Sequence, residues 1–107
     1  MKKGDIVLVT FPFTDLSSSK QRPALVLYAE NEDAILAFIT SKLSFQHKYD
    51  IFIERSSVNN LEADSVIILR KLFTGNKSLI RGKVGNLELS YYPEINRSIT
   101  ALVTVKK

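Results

Sequence analysis

Arg22 stands directly before Pro23, and Thr40 and Ser41 close an apolar run that starts at Ala34. A guanidinium offers several donors in a rigid fork that matches two phosphate oxygens, and a threonine hydroxyl adds one more hydrogen bond. If a ribose 2′-hydroxyl attacks its neighbouring phosphate, negative charge grows on the phosphoryl oxygens, and donors already in place lower that barrier without a metal. Other chemistries are closed. With no Cys and a single His, His47, the chain has no disulfide, thiolate-held zinc, thiol nucleophile or pair of imidazoles. It also lacks a Gly-rich phosphate loop, a nucleophile elbow and a metalloprotease helix. Asp15 and His47 are the remaining candidates for proton transfer. Phe11, Phe13, Tyr28, Phe38 and Phe52 are candidates for base stacking, although most aromatics in strands belong to a core.

The scaffold has to be small. A chain of 107 residues with 45% hydrophobic residues and few Gly or Pro supports one folded domain over residues 1–107. Its charge is uneven: residues 1–29 carry four basic and two acidic groups (+2), residues 30–69 three and seven (−4), and residues 70–107 eight and two (+6). Such polarity suits a polyanion such as RNA, or an acidic protein tail. The apolar run after Met1 is too short for a membrane span and no small-residue cleavage site follows, so a soluble, cytoplasmic protein is expected.

Strands account for most of the sequence. Ile6 to Phe11 is apolar on both alternate faces and reads as a central strand ending at Pro12. The small polar stretch Thr14 to Gln21 reads as an exposed loop. Pro23 disfavours helix for Arg22 and suits the first position of a strand, so Ala24 to Tyr28 forms the second strand, with the guanidinium at the junction. Ala34 to Thr40 forms a third. Tyr49 to Glu54 alternates, with Tyr49, Ile51 and Ile53 on one face and Asp50 and Glu54 on the solvent side. Ser56 to Asp64 reads as a loop or a short helical turn, Ser65 to Leu69 as a buried strand running on toward Thr74, Gly75-Asn76 as a turn, and Arg81 to Gly85 as a last short strand. Tyr92, Ile95, Ile99 and Leu102 fall at helical spacing with Ser90 as cap, which predicts a C-terminal helix against the sheet, although the β-branched run Ile99 to Val105 also suits a strand. These elements predict a compact antiparallel barrel whose adjacent loops bring Arg22, Thr40 and Ser41 to one rim.

Lys3-Gly4-Asp5-Ile6-Val7-Leu8-Val9, then Phe11-Pro12-Phe13-Thr14-Asp15 and Lys20-Gln21-Arg22-Pro23-Ala24-Leu25-Val26-Leu27, resembles the N-terminal signature of the MazF/PemK family of toxin endoribonucleases. Phe38-Ile39-Thr40-Ser41 is similar to the family's second active-site strand, Asp64 to Leu69 to its later buried strand, and the segment from Leu87 to its closing helix. The resemblance implies a small SH3-like antiparallel barrel, mainly β with a C-terminal helix. It implies a homodimer that cuts single-stranded RNA without a metal or other cofactor, held inactive by an antitoxin with an acidic tail. It places catalysis on Arg22 and Thr40, and RNA contacts on Phe13, Asp15, Ser19, Lys20, Ser41 and Lys71. Because an arginine side chain stays protonated, charge stabilisation is its main role.

The sequence departs from the family in two places. The loop before Arg22 reads Asp15-Leu16-Ser17-Ser18-Ser19-Lys20-Gln21 in place of a Gly-Ser-Glu stretch, and Lys71 stands where the family carries glutamine. Both departures also fit a non-catalytic barrel that binds RNA, DNA or an acidic protein tail without cutting. A weaker alternative is a domain serving only oligomer assembly.

Overall fold

The computed structural model describes residues 1–11, 20–43 and 47–106, with Phe11 and Lys20 described by backbone alone. Six strands, β1 (Asp5–Phe11), β2 (Lys20–Ala29), β3 (Asp33–Thr40), β4 (Ile51–Ile53), β5 (Ser65–Asn76) and β6 (Ile80–Asn86), precede one helix, α1 (Tyr92–Val103). They form a single antiparallel sheet in the order β4-β5-β3-β2-β1-β6. The fold is thus mainly β with a C-terminal helix, and among the described residues no ladder joins β4 to β6.

Alternation along the strands divides the apolar side chains between two clusters, one on each face. Ile6, Leu25, Ile39, Ile53, Ile67 and Leu69 pack with Ile95 of α1, and Tyr92, Ile99 and Leu102 border them. Val7, Val9, Ala24, Val26 and Leu36 form the other cluster, bordered by Leu79 and Ile80 and by Phe38 and Phe73, whose rings stack at 4.7 Å. Ile6 and Val7 belong to different clusters, as expected for a strand apolar on both faces. The spacing of Tyr92, Ile95, Ile99 and Leu102 is decisive at the C-terminus: α1 carries the β-branched residues through Val103 because its apolar stripe meets the sheet.

Several boundaries differ from the sequence reading, each for a local reason. β2 begins at Lys20, so Pro23 lies inside the strand rather than at its first position. It is tolerated because the β2–β3 ladder starts only at Ala24↔Phe38, which leaves Pro23 without a strand on that side. β5 runs through Gly75 to Asn76, and the turn comes after it, where Asn76 Oδ1 accepts from Ser78 N at 2.8 Å. β4 is confined to three residues. Asp50, expected on the solvent side, has a side chain only 3% exposed. Its carboxylate closes a turn by accepting from His47 N at 2.9 Å and lies 3.9 Å from Arg70 Nε. Ser90 does not cap α1, because it is taken up in a 3₁₀ turn over Leu89–Tyr91 and Tyr91 occupies the N-cap position.

Gly4 shows why the start of the chain admits no side chain. Its φ is +89°, and a Cβ would fall 1.9 Å from Tyr92 Oη, while its N–H donates to Val26 O and its carbonyl accepts from Leu87 N. Both the conformation and the docking of α1 require glycine. Gly4→Ala is expected to cost about 2 kcal/mol or more, read as a lower denaturation midpoint in urea; an unchanged midpoint would show that Tyr92 moves aside freely.

Candidate functional site

Arg22 and Thr40 meet through strand register. The β2–β3 ladder pairs Ala24 with Phe38, and the same register carried two residues further sets Arg22 across from Thr40. Neither is in the ladder. Arg22 remains paired with Val9 of β1 on its other side, so its backbone is held while the space toward β3 is open. Thr40 is half-buried and Arg22 partly so, and both residues line one open groove of about 720 Å³.

On one side of the groove lie Gln21, Arg22, Thr40 and Ser41, and the apolar floor includes Leu8, Ile39 and Val84. The guanidinium of Arg22 has no carboxylate partner among the described residues. The Thr40 hydroxyl oxygen accepts from Lys42 N at 3.2 Å, which fixes the oxygen and leaves its own hydrogen to donate. A fork of cationic donors and a hydroxyl on residues that line one groove are the donor types that suit an anion with two accessible oxygens.

The opposite side was not legible in the sequence. It is formed by Asn60, Leu61, Glu62 and Ala63, from the loop between β4 and β5. Asn59 organises that loop from within. Fully buried, it donates through Nδ2 to Glu54 O at 2.7 Å and Glu88 Oε1 at 3.1 Å, and accepts at Oδ1 from Ser56 N at 3.0 Å and Leu61 N at 3.1 Å. Asn60 follows with φ 59°, a turn conformation that Asn tolerates. The loop is then tied to β6: Asn60 Nδ2 donates to Val84 O at 3.1 Å and Asn86 N to Val58 O at 3.0 Å. Gly85 permits the approach, since a Cβ there would lie 2.4 Å from Asn59 O. The sequence signal was the Asn59-Asn60 pair, which marks a turn without saying where the turn docks.

Of the residues selected from sequence, the groove thus brings together Arg22, Thr40 and Ser41. Lys71 is exposed on β5, in the stretch bulged out between the pairs Ala37↔Leu72 and Phe38↔Ile68, and does not border the groove. His47 is exposed and also apart from the groove; its Nδ1 accepts from Tyr49 N at 3.5 Å. Phe13, Asp15 and Ser19 lie outside the described residues, and Lys20 opens β2 opposite Phe11. Among the described residues, no group of three or more His, Asp or Glu side chains could hold a metal ion, and no helix is long and apolar enough to cross a membrane.

A family model described as PemK-like, MazF-like toxin of type II toxin-antitoxin system matches residues 2–103. The fold is also found in solved structures. Mycobacterium tuberculosis toxin MazF-mt6 aligns with a TM-score of 0.77 at 19% identity, over 96% of this chain and 99% of that one. An endoribonuclease from a mycobacterial species, solved in complex with its cognate antitoxin, aligns with a TM-score of 0.79 at 11% identity, over 100% and 98%. MazF from Deinococcus radiodurans aligns with a TM-score of 0.74 at 15% identity, over 96% of both chains. No curated protein matches the sequence.

The loop wall should depend on Asn59. Asn59→Ala removes four hydrogen bonds and strands buried partners, so a loss of stability on the order of 3 kcal/mol is expected. Hydrogen exchange should accelerate at the amides of Ser56 and Leu61; unchanged exchange there would show that the backbone alone holds the loop.

Proposed function

The chain belongs to the PemK-like, MazF-like toxin family of type II toxin-antitoxin systems, and from that premise we propose that it is an endoribonuclease that cuts single-stranded messenger RNA in the cytoplasm. The observation that carries this reading is the convergence of Arg22 and Thr40, from different strands, on one open groove.

In the proposed reaction the 2′-hydroxyl attacks the adjacent phosphorus, the bond to the 5′-oxygen breaks, and a cyclic phosphate and a 5′-hydroxyl result. Arg22 and Thr40 hydrogen-bond the phosphoryl oxygens as their charge grows, which stabilises the transition state more than the ground state. These donors need no metal for that role. Ser41, beside Thr40, extends the grip along the strand. Phe13, Asp15, Ser19, Lys20 and Lys71 are further proposed RNA contacts, Lys71 beyond the groove itself. The active form is proposed to be a homodimer, inhibited by an antitoxin whose acidic tail competes with RNA for the basic surface.

Cleavage of a long unstructured RNA in EDTA tests the assignment. Arg22→Ala should lower the rate roughly 10²–10³-fold, and wild-type products should carry a cyclic phosphate. Equal cutting by both proteins would remove Arg22 from the mechanism. RNA binding without products from wild type would favour a non-catalytic binding module. For Lys71, a phosphate contact predicts that Lys71→Ala flattens the salt dependence of RNA binding by about 0.7 in logarithmic slope; an unchanged slope would place Lys71 away from the RNA.

A further inference from the structure

We propose that Glu62 is the general base of the cleavage, accepting the proton of the attacking 2′-hydroxyl; this rests on the nuclease reading and fills the role that Arg22 and Thr40 leave open. An arginine has no lone pair to take a proton, and the Thr40 hydroxyl is a donor toward phosphate. Glu62 is the one carboxylate bordering the groove among the described residues, and it stands on the wall that also carries Asn60 and Ala63. His47 is not on that lining.

A carboxylate in an anion-receptive groove cannot face phosphate without repulsion, so its favourable partners on an RNA strand are hydrogen-bond donors. The 2′-hydroxyl is the donor next to the scissile phosphate. The surroundings leave the carboxylate free for it. The charged groups around it are Arg22 on the groove's other side, Asp64 two residues on, which accepts from Arg55 N at 2.9 Å, and Arg55, whose Nη1 donates at 3.2 Å to the Glu62 backbone carbonyl, not to its side chain. No ion pair engages the Glu62 carboxylate among the described residues. Its backbone is held as a base requires: Arg55 grips its carbonyl, and the preceding Leu61 N is bound by buried Asn59.

The step balances within the groove. The 2′-oxygen–hydrogen bond breaks and its proton passes to a Glu62 oxygen as the 2′-oxygen–phosphorus bond forms. The phosphorus–5′-oxygen bond breaks, the departing oxygen takes a proton from water, and Glu62 returns its proton to the hydroxide so formed.

The test uses the full chain, an RNA with a mapped cut site, and the same RNA carrying a 2′-deoxy residue there. Glu62→Gln should lower kcat roughly 10²–10⁴-fold, leave binding of the uncuttable deoxy strand unchanged, and abolish the fall of kcat/KM on the acid side that a carboxylate base predicts for wild type. Glu62→Asp should recover part of the rate. A glutamine variant within a few-fold of wild type overturns the proposal. So does a rate loss matched by an equal binding loss with the acid limb intact, which would make Glu62 a reader of base amino groups. A wild-type chain that cuts no RNA would instead overturn the nuclease reading itself.

Discussion

The site depends on where one ladder stops. β2 and β3 are hydrogen-bonded up to Ala24↔Phe38, and Pro23 follows at once on the side toward Arg22. Proline cannot donate to a neighbouring strand, so the position just beyond the last pair is where it can sit without breaking a sheet already formed. The two strands then part while keeping their register. Arg22 and Thr40 keep the register of a cross-strand pair without its ladder bonds, and both line the groove. The pairing of Arg22 with Val9 holds it from behind, so its donors are fixed at one end and available at the other.

The second wall uses a different device. A strand pairing cannot supply it, because residues 54–64 have few apolar side chains to bury. A buried amide supplies it instead. Asn59 has two donors and two acceptor positions, and the loop turns around it so that all four are used. This is the condition under which a buried polar group stabilises rather than costs. Gly85 completes the arrangement by removing the one atom that would keep β6 from the loop. The groove therefore has a wall of strand ends facing a wall of loop, one cationic and the other bearing a carboxylate.

How far this could be read from sequence follows from the range of each cause. The strands and α1 were legible because periodic burial is a local signal, and Arg22 and Thr40 were legible because a Pro and a run end mark loop junctions. Boundaries set by a neighbour were not. Nothing near Pro23 says that β3 pairs only from Phe38, nothing near Asp50 says that His47 N and Arg70 will enclose it, and nothing near Gly75 says that β3 continues alongside. The place of Glu62 on the groove was hidden for the same reason: its loop looked like an acidic surface turn, and its position is decided by hydrogen bonds to Val84 and Asn86, more than twenty residues later.

That late dependence has a bearing on synthesis. The chain leaves the ribosome from its N-terminus, so the residues around Arg22 and Thr40 emerge well before β6 does. Until Val84 and Asn86 are available, the loop that faces them has nothing to dock on. A fragment interrupted before β6 would present one half of the groove only, its strand-end wall without the docked loop that faces it.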